Sequence, residues 1–431
     1  MKKVISAFLL LNALAFSAAA ENQELSIQDA LTAALQNNPT LSAQRQQLDK
    51  ARAAKIQADG NFTPSLSLTG QYSENYPDTT NNGRTDSRTA GITVVQNLYS
   101  GGKHVAQKRQ AQESMTQAEF SVRESEEELA VKIYTNFFGV ILAREKVTAA
   151  QDAVETSRQH VRQVRQMLQL GLSNQLEVIR AEQQLSENEA SVVTASTELE
   201  KIRVTLFNLM GLPPSTPKIP QGSLEVANPA GTVSESLETA KANRSDLGVL
   251  EKEIEIQKQQ IRIVKSGVSP KIDLGATVGY SNPYQSKDQS KDTWKAYVSL
   301  EIPLYDRAQT RGEVLKAEAV QKQNVLTLQQ KHLDIVSEIE LAWFAINNSS
   351  AQVVSRRKAY GLAKETLRLS EVGYREGVTP QLDLLNAQAS LTSARKDYSQ
   401  ALYNHLICIA TLKRAEGILV PWTLEGAQQK Q

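Results

Sequence analysis

Two stretches of this chain are close copies of each other: Gly171-Leu-Ser-Asn-Gln-Leu-Glu-Val-Ile-Arg-Ala181 and Gly377-Val-Thr-Pro-Gln-Leu-Asp-Leu-Leu-Asn-Ala387, 206 residues apart (377 minus 171). The same offset aligns Leu31 with Leu237, Pro64 with Pro270, Leu98-Tyr99 with Leu304-Tyr305, Phe138 with Phe344, Leu185 with Leu391 and Gly211 with Gly417. A unit of roughly 190 residues is therefore written twice, which predicts a pseudo-twofold protomer rather than unrelated domains. Each copied stretch reads as the end of one long helix and the start of another. Gly171 and Gly377 suit the left-handed position past a helix C-terminus. Two positions on, Ser173 or Thr379 can cap the following helix, and Pro380 suits its first helical position.

The first copy spans 21–211, the second 234–417, with a segment over 212–233 between them and an end piece over 418–431. Residues 1–20 carry two lysines, an apolar run from Val4 to Phe16 and then Ala18-Ala19-Ala20, the pattern of a secretory signal peptide cut after Ala20. Its apolar core is too short to span a membrane, and no later run approaches the roughly 18 apolar residues a transmembrane helix needs. Cys408 is the single cysteine, so an intrachain disulfide is excluded, and Leu406-Ile-Cys-Ile-Ala410 predicts a buried small hydrophobe there. With 48 basic and 47 acidic residues spread along the chain, there is no basic block to hold a nucleic acid.

Helical periodicity runs over 26–59 with a kink or restart at Asn38-Pro39, and the second copy predicts a helix over 235–267. The period then changes to two. Over 64–72, Leu66, Leu68 and Tyr72 alternate with Ser65, Ser67, Thr69 and Gln71; over 90–99, Ile92, Val94 and Leu98 share a face. In the second copy, 270–280 alternates Ile272, Leu274, Val278 and Tyr280 with polar residues, and 294–304 aligns Trp294, Val298, Leu300, Ile302 and Leu304. Polar loops are expected over 73–88 and 281–293. Strands of about 9 to 11 residues are long enough to cross a bilayer when tilted. Aromatics stand near their ends: Phe62, Tyr72, Tyr99, Tyr280, Tyr284, Trp294 and Tyr305. The other reading of these strands is a sandwich with a polar outer face.

Residues 103–170 contain no proline and one glycine, so a single helix of roughly 65 residues, about 100 Å, is predicted, with a counterpart over 308–376. Ile133, Val140, Val147, Val154, Val161 and Leu168 recur every seventh residue, as do Ile339, Ile346, Val353, Tyr360, Leu367 and Tyr374. Small residues interleave with them: Ala143, Ala150 and Ser157 in one helix, Ala342, Ser349, Ala363 and Ser370 in the other. A sustained heptad makes helices supercoil, and small residues let them approach closely. Return helices are expected over 174–210 and 380–415, and the Pro- and Gly-rich 212–233 is expected to pack with 418–431 as a collar.

Four strands with one lipid-compatible face cannot close a barrel, which needs eight or more, and open edges are forbidden in hydrocarbon. The chain must therefore pool strands with copies of itself. Three copies would supply twelve, continued by a ring of coiled coils.

The two Gly-turns, the duplicated helix–hairpin–helix plan, and the strand exits Gln96-Asn-Leu-Tyr-Ser-Gly-Gly102 and Ile302-Pro-Leu-Tyr-Asp306 resemble the TolC-like outer membrane efflux protein family over essentially the whole mature chain. The resemblance implies a homotrimer with a twelve-stranded barrel in the outer-membrane lipid bilayer and a long α-helical barrel in the periplasm. It implies two partners, a periplasmic adaptor (membrane fusion protein) and an inner-membrane transporter of RND, MFS or ABC type, and neither cofactor nor catalysis. The turns would be the periplasmic tip, with Gly171, Leu172, Ser173, Gly377, Val378, Thr379 and Gln381 docking the adaptor. Of the family's gate residues, the acidic residue of the first turn matches Glu177, the tyrosine before the second turn matches Tyr374, and the entrance acid matches Asp383. The family's gate arginine falls at Thr379 and its second entrance aspartate at Asn386, which leaves Arg375 as the stand-in cation. Three copies of Asp383 would form a carboxylate ring favouring cations. The plainer role of Glu177 and Asp383 is to complement the positive N-terminal turn of a helix.

Other signals carry no chemistry. Gly101-Gly-Lys103 lacks the spacing and the Ser or Thr of a phosphate loop. His104, His160, His332 and His405 form no metal-ligand spacing and are read as helix-surface residues. No nucleophile elbow occurs. A duct for small toxic molecules, the outer component of a type I protein secretion system, and a soluble periplasmic coiled-coil adaptor remain the competing functions.

Overall fold

The computed structural model describes residues 23–75, 85–224, 229, 231–282 and 291–425. The expected signal peptide and Tyr284 lie outside them. The first copy consists of β1 (Gln23–Leu25), α1 (Ile27–Asn37), α2 (Pro39–Gly60), β2 (Ser65–Asn75), β3 (Thr85–Ser100), α3 (Lys103–Gln169) and α4 (Gln175–Leu209). After β4 (Lys218–Pro220) come α5 (Val233–Asn243), α6 (Ser245–Lys265), β5 (Lys271–Asn282), β6 (Lys291–Glu301), α7 (Gln309–Arg375), α8 (Gln381–Ala415) and α9 (Leu419–Glu425). The residues group into two compact units. One comprises Met1–Ser42, Ser125–Arg244 and Asp334–Gln431; the other comprises Ala43–Glu124 and Ser245–Leu333.

The second unit holds one antiparallel sheet in the order β2-β3-β5-β6, so the two hairpins meet through β3 and β5. Register puts Leu68, Ile92, Val278 and Trp294 in one row across all four strands, and Leu66, Val94, Ala276 and Ala296 in the next. The residues between them, Ser67, Thr93, Thr277 and Lys295, face the other way, as do Thr69, Gly91, Gly279 and Thr293 on the far side of the Leu68 row. On that polar face, the hydroxyls of Thr93 and Thr277 are bonded at 3.1 Å. Tyr297 lies over Gly275, where an added Cβ would come within 2.5 Å of two of its ring carbons and its hydroxyl oxygen. The apolar face is uncovered: Leu68 is 78% exposed and Trp294 80%.

Strand limits depart from the sequence reading in one direction. Pairing continues to Asn75 and begins again at Thr85, inside the stretch expected to be a loop over 73–88, and β5 continues to Asn282. Composition marked those residues as loop, but cross-strand hydrogen bonding tolerates polar side chains. β6 stops at Glu301 instead of 304. Pro303 cannot donate a ladder bond, and Ile302 and Leu304 stand beyond the strand, both exposed.

The other unit contains the largest fully buried side chains, among them Ile133, Phe137, Phe207, Met210, Ile339, Leu406 and Leu412. In the heptads, Ile133, Val140, Val161, Ile339, Ile346 and Tyr374 are buried, as are Ala143, Ala150, Ser157, Ala342 and Ser349 between them. On the other side of α7, Leu341, Phe344, Leu362 and Leu369 fall within one face at about 100° per residue, and all four are exposed. Gly222 and Trp422, from the two pieces expected to form a collar, both lie against α3. Gly222 is close to Phe137, Phe138 and Ile141, and the Trp422 ring is centred 5.9 Å from that of Tyr134. Glu127 accepts the backbone N–H groups of Leu419 and Val420 at 3.1 and 3.2 Å, fixing the start of α9. Cys408 is half-buried rather than buried, on the flank of α8 between Leu406 and Ile409, which point inward.

The duplication extends to contacts that sequence does not display. The helix read over 26–59 is two helices, with Asn38 at ψ 122° between them, and the helix read as continuous over 235–267 breaks at Arg244 with ψ 117°. Asn38 donates through its amide to the Leu209 carbonyl at 2.8 Å, and Arg244 donates to the equivalent carbonyl of Ala415 at 3.2 Å. No proline follows Arg244. Its guanidinium, held also by Glu338 at 2.6 Å, fixes the break by tertiary bonding. At the strand exits Gly101 and Gly102 have φ 62° and 80°, and their equivalents Arg307 and Ala308 have φ 56° and 64°. The second copy thus carries left-handed strain of about 1–2 kcal/mol per residue that glycine avoids. The Asp306 carboxylate offsets it by accepting the N–H groups of Ala308 and Thr310 at 3.0 and 2.8 Å.

Candidate functional site

The two copied turns lie in the same compact unit. Gly171 and Gly377 adopt φ 74° and 73°. Leu172 N–H donates to the Met167 carbonyl and Val378 N–H to that of Gly373, both at 2.8 Å; Gly171 and Gly377 N–H groups reach Leu168 and Tyr374. This double closure satisfies helix-end carbonyls only because the glycine turns left-handed.

The caps differ from those expected. Asn174, not Ser173, is the N-cap of α4, its Oδ1 accepting the Glu177 N–H at 3.1 Å, while the Ser173 hydroxyl donates to the Glu177 carboxylate at 2.7 Å. Asparagine is at least as good a cap as serine, so the choice follows from which residue turns extended first. In the second turn Pro380 is itself the N-cap instead of the first helical residue, and no side chain caps α8. Thr379 does not cap. Its N–H donates to the Gly373 carbonyl at 3.1 Å, and a Cβ on Gly373 would stand 2.1 Å from its hydroxyl.

The turns are joined by a buried cluster. Gln381 Nε2 donates to the Glu177 carbonyl at 2.8 Å and lies 3.2 Å from His160 Nε2. The His160 ring meets the Tyr374 ring edge-on at 5.5 Å, and the Tyr374 hydroxyl is 4.0 Å from Met167 Sδ. Gln381 and His160 are each 4% exposed. Gln381, expected to dock an adaptor, therefore has its side chain turned into the protomer. Burial lowers the His160 pKa, with the Glu177 charge acting the other way, and burial followed by the Glu177 charge raises that of Tyr374.

Glu177, Tyr374 and Gln381 are thus brought together. Arg375, Asp383 and Asn386 are exposed, and among the described residues their side chains make no hydrogen bond or ion pair. Leu172, Leu176, Val378 and Leu382 present an exposed apolar rim around the turns. The helix-surface reading of the histidines is corrected at two of four. His160 is interior, and so is His405, whose Nδ1 is 2.9 Å from the Ser349 hydroxyl. Sequence reasoning missed His160, Met167 and Gly373. The one available signal was position, since His160 and Gly373 each immediately precede a heptad residue, Val161 and Tyr374.

At Gly171 an added Cβ meets nothing within 4 Å, so Gly171→Ala isolates the conformational cost of the turn, about 1–2 kcal/mol. Limited proteolysis should cleave the first turn roughly 5- to 30-fold faster in this variant. An unchanged rate would mean that the left-handed residue does not hold the tip.

The family described as outer membrane efflux protein matches residues 30–212 and again 236–417, each match taking in one turn. TolC of Vibrio cholerae is 25% identical over 97% of this chain and 96% of its own length. The protease secretion protein PrtF of Dickeya chrysanthemi is 22% identical over 92% and 89%, and the cobalt-zinc-cadmium resistance protein CzcC of Cupriavidus metallidurans 21% over 91% and 90%. Among solved structures, the channel protein CusC superposes with a TM-score of 0.80 at 20% identity, covering 93% of this chain and 95% of that one. VceC of Vibrio cholerae gives 0.77 at 18%, covering 91% and 96%. With both halves matched and both turns in place, the chain belongs to the outer membrane efflux protein family.

Proposed function

We propose that this chain is the outer-membrane exit duct of a tripartite efflux system, working as a homotrimer whose strands form a twelve-stranded barrel and whose helices form a periplasmic tunnel. The observation that carries this reading is the sheet. One face is apolar and exposed, the other is polar, and β2 and β6 are edge strands whose outer sides pair with no other strand among the described residues. In hydrocarbon those edges must pair, and twelve strands from three chains close a barrel in the known size range. The exposed row Leu341, Phe344, Leu362 and Leu369 on α7 is an apolar face that neighbouring copies would cover.

No step of chemistry is assigned to the duct. The tip turns are the docking surface for a periplasmic adaptor, through the exposed Leu172, Val378 and Leu382 and not through Gln381, and the adaptor in turn brings an inner-membrane RND, MFS or ABC transporter. Asp383 and Asn386, both exposed, would line the entrance of the trimer, and Glu177, Tyr374 and Arg375 would hold its closed state. Small toxic molecules are the proposed cargo. The similarity to PrtF supports a second reading, the outer component of a type I secretion system.

Adjacent positions on β2 separate lipid-facing from lumen-facing residues. Leu68→Lys puts a charge on the apolar face at a cost of about 2–4 kcal/mol near the bilayer centre. It should abolish outer-membrane insertion, read by fractionation, whereas Thr69→Lys should insert normally; equal insertion of both would overturn the membrane barrel. A photo-reactive residue at Val378, which is 82% exposed, should capture an adaptor in cells. An adaptor of a drug or metal pump marks efflux, and one serving an ABC exporter with a protein cargo marks secretion. Asp383→Ala should reduce cation selectivity of the reconstituted pore; an unchanged reversal potential in a salt gradient would remove the carboxylate ring.

A further inference from the structure

We propose that the tip carries a proton-operated latch, in which neutral His160 and Gln381 pin the start of α4 to the start of α8 and protonation of His160 releases them. The latch stands on the geometry of one protomer. It rests on the duct reading only for its consequence, a wider entrance on acidification.

One atom of the Gln381 amide fixes the protonation state of His160. Gln381 Nε2 sits 2.8 Å from the Glu177 carbonyl and 3.2 Å from His160 Nε2. A backbone carbonyl only accepts, so the atom beside it must be the amide nitrogen rather than the amide oxygen. Its second hydrogen then points at His160 Nε2, which must accept. The imidazole is therefore neutral, with its proton on Nδ1. Protonated His160 has two donors and no acceptor, so donor would face donor across 3.2 Å. Turning the amide over would offer Oε1 to the imidazolium, and Oε1 is buried without a partner as it stands. The same turn sets that oxygen against the Glu177 carbonyl and breaks the bond to α4. Either orientation loses one of the two bonds that join the tips.

The groups facing His160 are few. α4 brings Glu177, whose carboxylate is occupied by the Ser173 hydroxyl at 2.7 Å; α7 brings Tyr374; α8 brings only the neutral Gln381. Glu177 favours the protonated ring, but burial outweighs it, and the net shift is downward. In an opened tip the ring is solvated and returns to an ordinary value of about 6.5. A group whose pKa is lower in the latched state stabilises that state fully above its open-state value. The latch is therefore intact above about pH 6.5 and weakens as pH falls below it, the ratio of open to latched tips rising by up to about tenfold per pH unit until the latched-state pKa is reached.

The test measures the tip directly in the full-length protein in lipid vesicles. With Cys408→Ser as background, spin labels at Leu172 and Val378, both exposed tip residues, report the distance between the turns at about pH 7.5 and about pH 5.5. Distances should lengthen and broaden at the acid pH with His160 present. They should stay at their neutral-pH values with His160→Gln, whose amide oxygen can accept from Gln381 but cannot titrate. Gln381→Ala should be open at both pH values, which guards against a His160 variant that merely misfolds. No acid response with His160, or an equal response in either variant, overturns the latch. Single-channel conductance rising in step with the distances supports the coupling to the entrance. Lengthened distances with an unchanged conductance keep the latch and overturn its coupling to the entrance, and lengthened distances with no channel at all keep the latch and overturn the duct reading.

Discussion

The constraint from which the rest of this structure follows is the unpaired backbone at the two edges of a four-stranded sheet. β2 and β6 each leave an outer row of N–H and C=O groups that pairs with no other strand among the described residues, on a sheet whose apolar face is open. In water such edges invite aggregation; in a bilayer they are ruled out. Among the described residues, no other strand joins this sheet. The proposed remedy is pairing edge to edge with further copies, and three features are compatible with it: two hairpins per chain, an alternating pattern held across all four strands, and long helices leaving the sheet in equivalent places. The apolar row on α7 has the same character, an exposed face that the proposed neighbouring copies would cover.

Duplication explains why one protomer can serve as two repeats of such an assembly, and the structure shows how far the copies have diverged. Equivalent helix breaks are kept by different chemistry: an amide at Asn38 ahead of a proline, and a guanidinium at Arg244 bonded to Glu338 and to the Ala415 carbonyl. The strand exit is unstrained through Gly101 and Gly102 but strained at Arg307 and Ala308, where Asp306 compensates. Backbone geometry is the conserved quantity between the halves. Side chains are whichever ones hold it.

The tips show the same rule with a functional result. Both turns close through left-handed glycine, yet one helix starts on an asparagine cap and the other on a proline with no side-chain cap. Gln381, in the first turn of the uncapped helix, reaches across to the Glu177 carbonyl in the first turn of the other. A buried histidine in that bridge makes its strength depend on one proton.

The sequence by itself determined the repeat, the long helices and the four strands of the sheet, the left-handed glycines of the two copied turns and the faces of the strands, because each is a local property: a spacing, a period of two or seven, a backbone angle only glycine adopts freely. It read the strand ends less well, since Asn75 and Thr85 look like loop and are held as strand by pairing alone. It also missed the break at Arg244, where no local residue stops a helix. Of the buried cluster at the turns, Glu177 and Tyr374 are residues the resemblance names, whereas Gln381 reads from sequence as outward-facing and His160 as a surface residue. Only tertiary structure decided those two, because the side of a helix that is buried depends on which helix packs against it. A histidine one position from a heptad seam carries no mark of the α8 glutamine, 221 residues away, that takes it inside.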